Sequence, residues 1–99
     1  LLTSDEFTAA EAHRIGLVQE VVPAGTEGQR ALELARLICE GAPKAVQATK
    51  ASSLRYLMEG HEAARAAFGP VQAELSSSED FQEGLRSFIE KRPPKFTGG

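Results

Sequence analysis

Ser78-Glu79-Asp80-Phe81-Gln82-Glu83-Gly84-Leu85-Arg86-Ser87-Phe88-Ile89-Glu90-Lys91-Arg92-Pro93-Pro94 decides what kind of fold this chain builds. Ser78 is a good N-cap residue, because its hydroxyl can accept a backbone N–H of the first helical turn. Glu79 and Asp80 follow at the positive end of the helix dipole, where carboxylates are stabilising. Phe81, Leu85, Phe88 and Ile89 recur at helical spacing and make one apolar stripe. Lys91 and Arg92 complement the negative end, and Pro93-Pro94 forbid continuation because neither residue has an N–H to donate. The stretch reads as an amphipathic helix with both ends marked, and residues 95–99 read as a tail.

The same reading extends toward the N-terminus. A fourth helix is expected over residues 61–75, with Gly69-Pro70 inside it; the proline ring clashes with the carbonyl four residues back and should kink or split that helix. Gly60 separates it from a third helix, which opens with Pro43 at the first position, where a missing N–H costs nothing. That helix runs through Val46, Lys50, Leu54 and Leu57 to about Met58. Gly41 ends a second helix beginning at Thr26 or Glu27 and running to Glu40, with Thr26 and Gln29 as a capping pair. Gly28 weakens its first turn by up to about 1 kcal/mol relative to Ala. Ala31, Leu34, Ala35 and Ile38 form one apolar face, which Leu32 and Leu37 broaden. A first helix is expected over residues 8–15, opened by a Thr8–Glu11 capping box and closed by Gly16. Leu17-Val18-Gln19-Glu20-Val21-Val22 is short and β-branched before Pro23, and reads as a single strand. The fold class expected is therefore mainly α: about five helices with one short strand. A lone strand has no partner in such a chain, and unpaired strand edges seek one.

Composition narrows the function classes. The chain has 99 residues, a length for one domain, with 41% apolar and 25% charged residues. These are values of ordinary water-soluble protein. No apolar run approaches the roughly 20 residues that a membrane-spanning helix needs. The N-terminal stretch from Leu1 to Glu6 has neither the basic flank nor the apolar run of a signal peptide, and it lacks an initiator Met, so it reads as a chain entered mid-protein. With 11 Lys+Arg against 14 Asp+Glu the formal net charge is -3. That balance argues against nucleic-acid binding, which needs a positive field to displace counterions. It also disfavours a helix-turn-helix DNA reader, for which no basic recognition helix is visible. The single cysteine, Cys39, cannot form an intramolecular disulfide, which fits a reducing, cytoplasmic setting.

Few side chains invite chemistry. His13 and His61 read as surface histidines, Cys39 as a buried or half-buried inert thiol at a helix end, and Ser76 to Ser78 as cap and loop. No set of Cys, His and carboxylates has structural zinc spacing, and no glycine-rich phosphate loop precedes a Lys-Ser/Thr pair. Glu79, Asp80 and Glu83 crowd a helix start and do not read as a catalytic pair. Lys91, Arg92 and Lys95 are the one dense basic cluster. They read either as complements to a helix dipole or as a clamp for phosphate oxygens, with Phe96 beside them to stack or simply to pack.

Three motifs in order carry a resemblance. They are residues 2–12 (Leu-Thr-Ser-Asp-Glu-Phe-Thr-Ala-Ala-Glu-Ala) with Gly16-Leu17-Val18 and Val21-Val22-Pro23; Ala42-Pro43-Lys44-Ala45-Val46 with Lys50; and the opening stretch extended to Lys95-Phe96. Together they resemble the enoyl-CoA hydratase/isomerase (crotonase) family, over the whole chain but over the C-terminal helical region of the family only. The resemblance implies that residues 1–99 form the CoA-pocket and trimerisation region of such an enzyme, with the N-terminal catalytic core lying outside them. It implies an acyl-CoA substrate, a thioester carbonyl held between two backbone N–H groups, and, in hydratases, two glutamates that manage a water. Those groups belong to the core, so no catalytic residue is assigned here.

The resemblance further implies that Lys91 lies near the nucleotide end of CoA. The family's adenine-packing aromatic position falls on Gln72, with Phe68 one turn earlier, so Phe68 is the candidate there. Ser4 replaces the glycine common after Leu-Thr. No metal and no cofactor beyond the substrate's own coenzyme A is implied. The implied function is hydration of a 2-enoyl-CoA in fatty-acid metabolism, by a cytoplasmic homo-oligomer, a trimer or dimer of trimers, with no nucleic-acid or membrane partner. The 99 residues alone are expected to be inactive and to self-associate. The alternative is a stand-alone helical interaction module that performs no chemistry.

Overall fold

The computed structural model describes residues 4–99, so Leu2 and Thr3 of the first motif lie outside the described residues. The helices are α1 (Ala9–Arg14), α2 (Glu27–Cys39), α3 (Pro43–Glu59), α4 (His61–Ser76) and α5 (Glu79–Glu90). All five were expected, and their ends fall within two residues of the sequence reading. The strand was not found: among the described residues there is none.

The chain divides into two units, Leu1–Leu34 and Ala35–Gly99. In the first, Thr8 caps α1 by accepting the Glu11 N–H at 3.2 Å. The reciprocal half of the capping box is not made, because the Glu11 carboxylate turns to Arg14 at 2.6 and 2.7 Å. At the other end the Gly16 N–H reaches the His13 carbonyl at 3.0 Å and the Leu17 N–H reaches the Ala12 carbonyl at 2.8 Å. Those two bonds are a Schellman motif, and Gly16 supplies its left-handed residue with φ 76°. This is why residues 17–22 are not a strand. Their first amides, Leu17 and Val18, return to the Ala12 carbonyl, and the Glu20 carboxylate is taken by Arg30 at 2.9 Å. A β-branched run forms a strand only where a second strand offers a ladder. The Thr26–Gln29 capping pair is also absent. The Thr26 hydroxyl donates to the Pro23 carbonyl, Gln29 donates to Glu33, and Glu27 accepts the Gly25 N–H instead.

In the second unit α3 packs on α4, and α4 also meets α5. Pro43 stands at the start of α3 as expected. Gly60, at φ 89°, joins α3 to α4, and the Tyr56 and His61 rings meet edge-to-face at 6.4 Å across that joint. Pro70 does not split α4, which is helical from His61 to Ser76. Ala66, whose carbonyl loses its partner to the proline, is exposed, so water can satisfy it. Ser78 caps α5 by accepting the Phe81 N–H at 3.1 Å.

Apolar side chains are distributed unusually. Among the described residues Ala12, 7% exposed, is the one buried apolar residue. The face expected on α2 is present as a pattern, yet Leu34 and Ile38 are exposed, as are Leu57 and Met58 on α3 and Phe88 and Ile89 on α5. The two other buried residues are polar, Asp80 and Ser87, both on α5.

Candidate functional site

α5 organises the candidate site. Its C-terminus repeats the motif that ends α1: the Lys91 N–H donates to the Phe88 carbonyl at 3.3 Å and the Arg92 N–H to the Ser87 carbonyl at 3.1 Å. Here the left-handed residue is Lys91, at φ 52° and ψ 43°. A Cβ in that conformation costs roughly 1–2 kcal/mol, which glycine avoids. The same chain uses Gly16 for the same job in α1. A lysine is therefore not the residue that the turn by itself favours.

The basic cluster is not one clamp. The Arg92 guanidinium grips Glu83 with Nη1–Oε1 at 2.5 Å and Nη2–Oε2 at 2.9 Å. Its Nε reaches Glu90 at 2.5 Å, and Nη1 also donates to the Pro93 carbonyl. Arg92 is thus committed within the protein and is removed from the phosphate-clamp reading. The Lys91 ammonium has no hydrogen-bond or ion-pair partner among the described residues. Lys91 lines a 690 Å³ groove with Phe88, Ile89, Arg92 and Phe96. The groove has a largely apolar lining and one uncommitted positive charge. That arrangement suits an anionic ligand with a flat or apolar portion.

Phe68 is 63% exposed on α4. It lines a different groove of 410 Å³ between α3 and α4, together with Gln72, Val71 and Leu75. The structure thus brings Phe68 and Gln72 together and does not bring Phe68 into the groove of Lys91. A third hollow, 310 Å³, is walled by Ala42, Ala45, Leu75, Phe81, Leu85 and Phe96. Phe96 lines both this hollow and the Lys91 groove.

Two carboxylates that read as helix-dipole residues do something else. Glu83, its side chain 15% exposed, accepts both Arg92 nitrogens and also the Lys95 N–H at 2.9 Å. The guanidinium first, and the backbone N–H second, hold its pKa down at about 2. Asp80, 2% exposed, accepts the Thr97 N–H at 2.7 Å and the Gly98 N–H at 2.9 Å, with the Thr97 hydroxyl at 3.5 Å. Residues 92–99 therefore run back along α5 rather than trailing away. Gly99 ends so close to Glu79 that an added Cβ would lie 2.8 Å from Oε2, and Gly98 lies against Pro43. A separation of 17 or 18 residues hides these bonds from a sequence reading. The one available signal was an Asp and a Glu one turn apart ahead of a proline-stiffened, glycine-ended tail.

Of the remaining candidates the histidines are exposed as expected, whereas Cys39 was expected to be buried or half-buried and is not, because it stands at the end of a helix whose apolar face no described residue covers. Cys39 is an exposed free thiol, His13 is exposed, and His61 is exposed with Glu62 at 3.4 Å. Among the described residues no group of three or more His, Cys, Asp or Glu could hold a metal ion. No described helix is long and apolar enough to cross a membrane.

Comparison with known proteins gives this geometry a context. A family model described as Enoyl-CoA hydratase/isomerase matches residues 1–99. The chain is 40% identical over 97% of its length to Enoyl-CoA hydratase EchA19 of Mycobacterium tuberculosis, of which it covers 36%. It is 35% identical over 99% of its length to Methylmalonyl-CoA decarboxylase of Escherichia coli, of which it covers 38%. Among solved structures, an enoyl-CoA hydratase from Mycobacterium tuberculosis superposes with a TM-score of 0.90 at 33% identity, over 99% of this chain and 39% of that one. The chain spans a little over a third of the length of the curated relatives it matches. Its mainly helical fold matches the C-terminal helical part of the crotonase fold.

Proposed function

This chain belongs to the enoyl-CoA hydratase/isomerase family, and on that premise we propose that it is the C-terminal helical region of an enzyme acting on acyl-CoA thioesters, with hydration of a 2-enoyl-CoA as the reaction. The observation that carries this reading is Lys91. Its ammonium is uncommitted, it occupies a strained backbone position that glycine would fill more easily, and it lines a groove together with Phe88, Ile89 and Phe96. Coenzyme A presents phosphates far from its thioester, and a positioned ammonium can hold one by a charge-assisted hydrogen bond. Phe68, exposed in the α3–α4 groove, is the second proposed contact, a ring face for the adenine.

The chemistry itself is assigned outside these residues. Hydration needs a group to manage a water and donors for the thioester oxygen. The carboxylates of α5 best placed to be considered are already occupied, Glu83 by Arg92 and Lys95, and Asp80 by Thr97 and Gly98. Similarity at nearly equal identity to a hydratase and to a decarboxylase supports the same division, with this segment common to both and the reaction set elsewhere. The exposed apolar residues of α3 and α5 support a homo-oligomer, a trimer or a dimer of trimers, and we place the enzyme in the cytoplasm with no cofactor beyond its substrate's own CoA.

The test is an assay of the complete protein with crotonyl-CoA, following loss of the conjugated enoyl thioester absorbance. Water adds across the double bond to give the 3-hydroxyacyl thioester. Turnover to that product is the expected result. Decarboxylation of a carboxyacyl-CoA without any hydration would overturn the reaction but keep the ligand class, and absence of acyl-CoA binding would overturn both.

A further inference from the structure

We infer that Asp80 is a positioning residue for the ligand groove, acting through the C-terminal tail that it holds against α5. The inference rests on the acyl-CoA reading above. Asp80 itself cannot touch the group held at Lys91: it stands eleven positions earlier, roughly 16 Å away along the axis. What it touches is the tail. Its two carboxylate oxygens accept the N–H groups of Thr97 and Gly98, and one turn further along α5 Glu83 accepts that of Lys95. Phe96 lies between these held amides, so its backbone has little freedom. Its ring lies over Gly84, where an added Cβ would sit 3.8 Å from Cε1, and it lines the groove of Lys91.

The burial of Asp80 makes this more than a helix-start preference. A carboxylate serving the dipole works at the surface, in contact with water. At 2% exposure Asp80 has exchanged water for two tail amides, and a buried carboxylate is stable only where such donors replace its hydration. The pairing is also specific in geometry. Gly98 takes a left-handed φ of 85°, and Gly99 reaches within a clash of Glu79 if it carries a side chain. The docked tail thus has glycine at the two positions where a side chain would be strained or crowded. Asp80 fixes the tail, the tail fixes Phe96, and Phe96 forms one wall of the groove that Lys91 borders.

The experiment uses the complete enzyme and two substrates with the same acyl group, the CoA thioester and the pantetheine thioester that lacks the nucleotide. For each of D80A, F96A, D80A/F96A and K91A, KM, kcat and melting temperature are measured with both. D80A is expected to raise KM for the CoA thioester about 3- to 30-fold, leave kcat within twofold, and leave KM for the pantetheine thioester unchanged. F96A is expected to do the same, and the double variant to be no worse than the poorer single one, since both act on one wall. A purely structural role for Asp80 lowers the melting temperature and activity alike with both substrates, and that outcome overturns the inference. So does additivity of D80A and F96A. Should D80A be insoluble, D80N with F96A decides by the same ratio, because Asn keeps the shape and one acceptor while losing the second. K91A separates this inference from the reading beneath it. A CoA-specific rise in K91A without one in D80A sinks the positioning role alone; no CoA-specific rise in K91A sinks the phosphate reading of the groove.

Discussion

Replacing Lys91 by glycine, in the complete protein, should make the protein more stable and a poorer binder at once. Lys91 holds φ 52° and ψ 43° at the end of α5. Relief of that conformation is worth roughly 1–2 kcal/mol. Glycine's greater freedom in the unfolded chain takes back about 0.5–1 kcal/mol. The net gain is on the order of 0.5–1 kcal/mol, which for a protein of 150–250 residues raises Tm by about 1–4 °C. On the ligand side, a charge-assisted hydrogen bond to a phosphate is worth about 1.5–3 kcal/mol when well formed, and less at an exposed rim. Losing it should raise KM for the CoA thioester roughly 3- to 100-fold. Because the phosphate lies far from the reacting carbon, the contact is equal in ground and transition states and kcat should hardly change. Lys91→Ala should show the same KM without the stability gain, since alanine keeps the strained Cβ. The assay is steady-state kinetics at low and moderate salt alongside a thermal melt of each variant. Lys91→Gly with a raised Tm and an unchanged KM at low salt would refute the phosphate role and leave Lys91 as a poor helix end.

The pairing of Glu83 with Arg92 should appear in acid. The Glu83 pKa is about 2 in the folded chain against an ordinary 4.5, so its contribution is complete above pH 4.5 and is lost as pH falls from there toward 2; the difference in Tm between the complete wild-type protein and E83Q should shrink across that window, and a constant difference would contradict the assignment. Two glycines should respond in opposite directions. Gly28 faces open space, so G28A should stabilise by up to about 1 kcal/mol, whereas a Cβ at Gly41 meets Val46 Cγ2 at 3.0 Å, so G41A should destabilise by about 1 kcal/mol, both read from denaturant melts of the complete protein. The isolated 99-residue chain should self-associate, because Phe88, 84% exposed, and the other apolar residues of α3 and α5 leave uncovered surface worth about 25 cal/mol per Å². Sedimentation at rising concentration tests this, and a concentration-independent monomer mass would contradict it.

What the sequence made legible is what local chemistry decides. Ser78 and Thr8 were readable as caps because a hydroxyl three residues before a free amide has one obvious use, and both bonds are present. Pro43, Gly16 and Gly60 were readable because their backbone preferences act at their own positions. The misreadings share a cause, competition from a partner that spacing does not reveal. Glu11 had a free choice between the Thr8 amide and Arg14, and a bidentate guanidinium is the stronger donor. Residues 17–22 had the side chains of a strand and no second strand, and their first two amides, Leu17 and Val18, followed the Schellman turn of α1. Pro70 was expected to kink or split a helix, and the split does not occur, because the exposed Ala66 lets water take the place of the lost bond.

The site shows the same limit at longer range. Lys91, Arg92 and Lys95 look alike in sequence, three cations within five residues, and the fold gives them three different fates. Arg92 is neutralised by Glu83 and Glu90. Lys95 gives its backbone amide to Glu83, while its side chain is not among those lining the groove of Lys91. Lys91 alone combines an uncommitted ammonium with a place on the groove of Phe88, Ile89 and Phe96. A charge cluster is therefore a poor guide to a binding site until its internal pairs are subtracted. What remains is two lysines, and of these Lys91 is the one on the groove, held in a conformation its own side chain makes costly, at the end of a helix whose buried aspartate ties down the tail that carries Phe96. Stability alone would favour glycine at that turn, as in α1, and the proposed phosphate contact would give the lysine its reason to stand there.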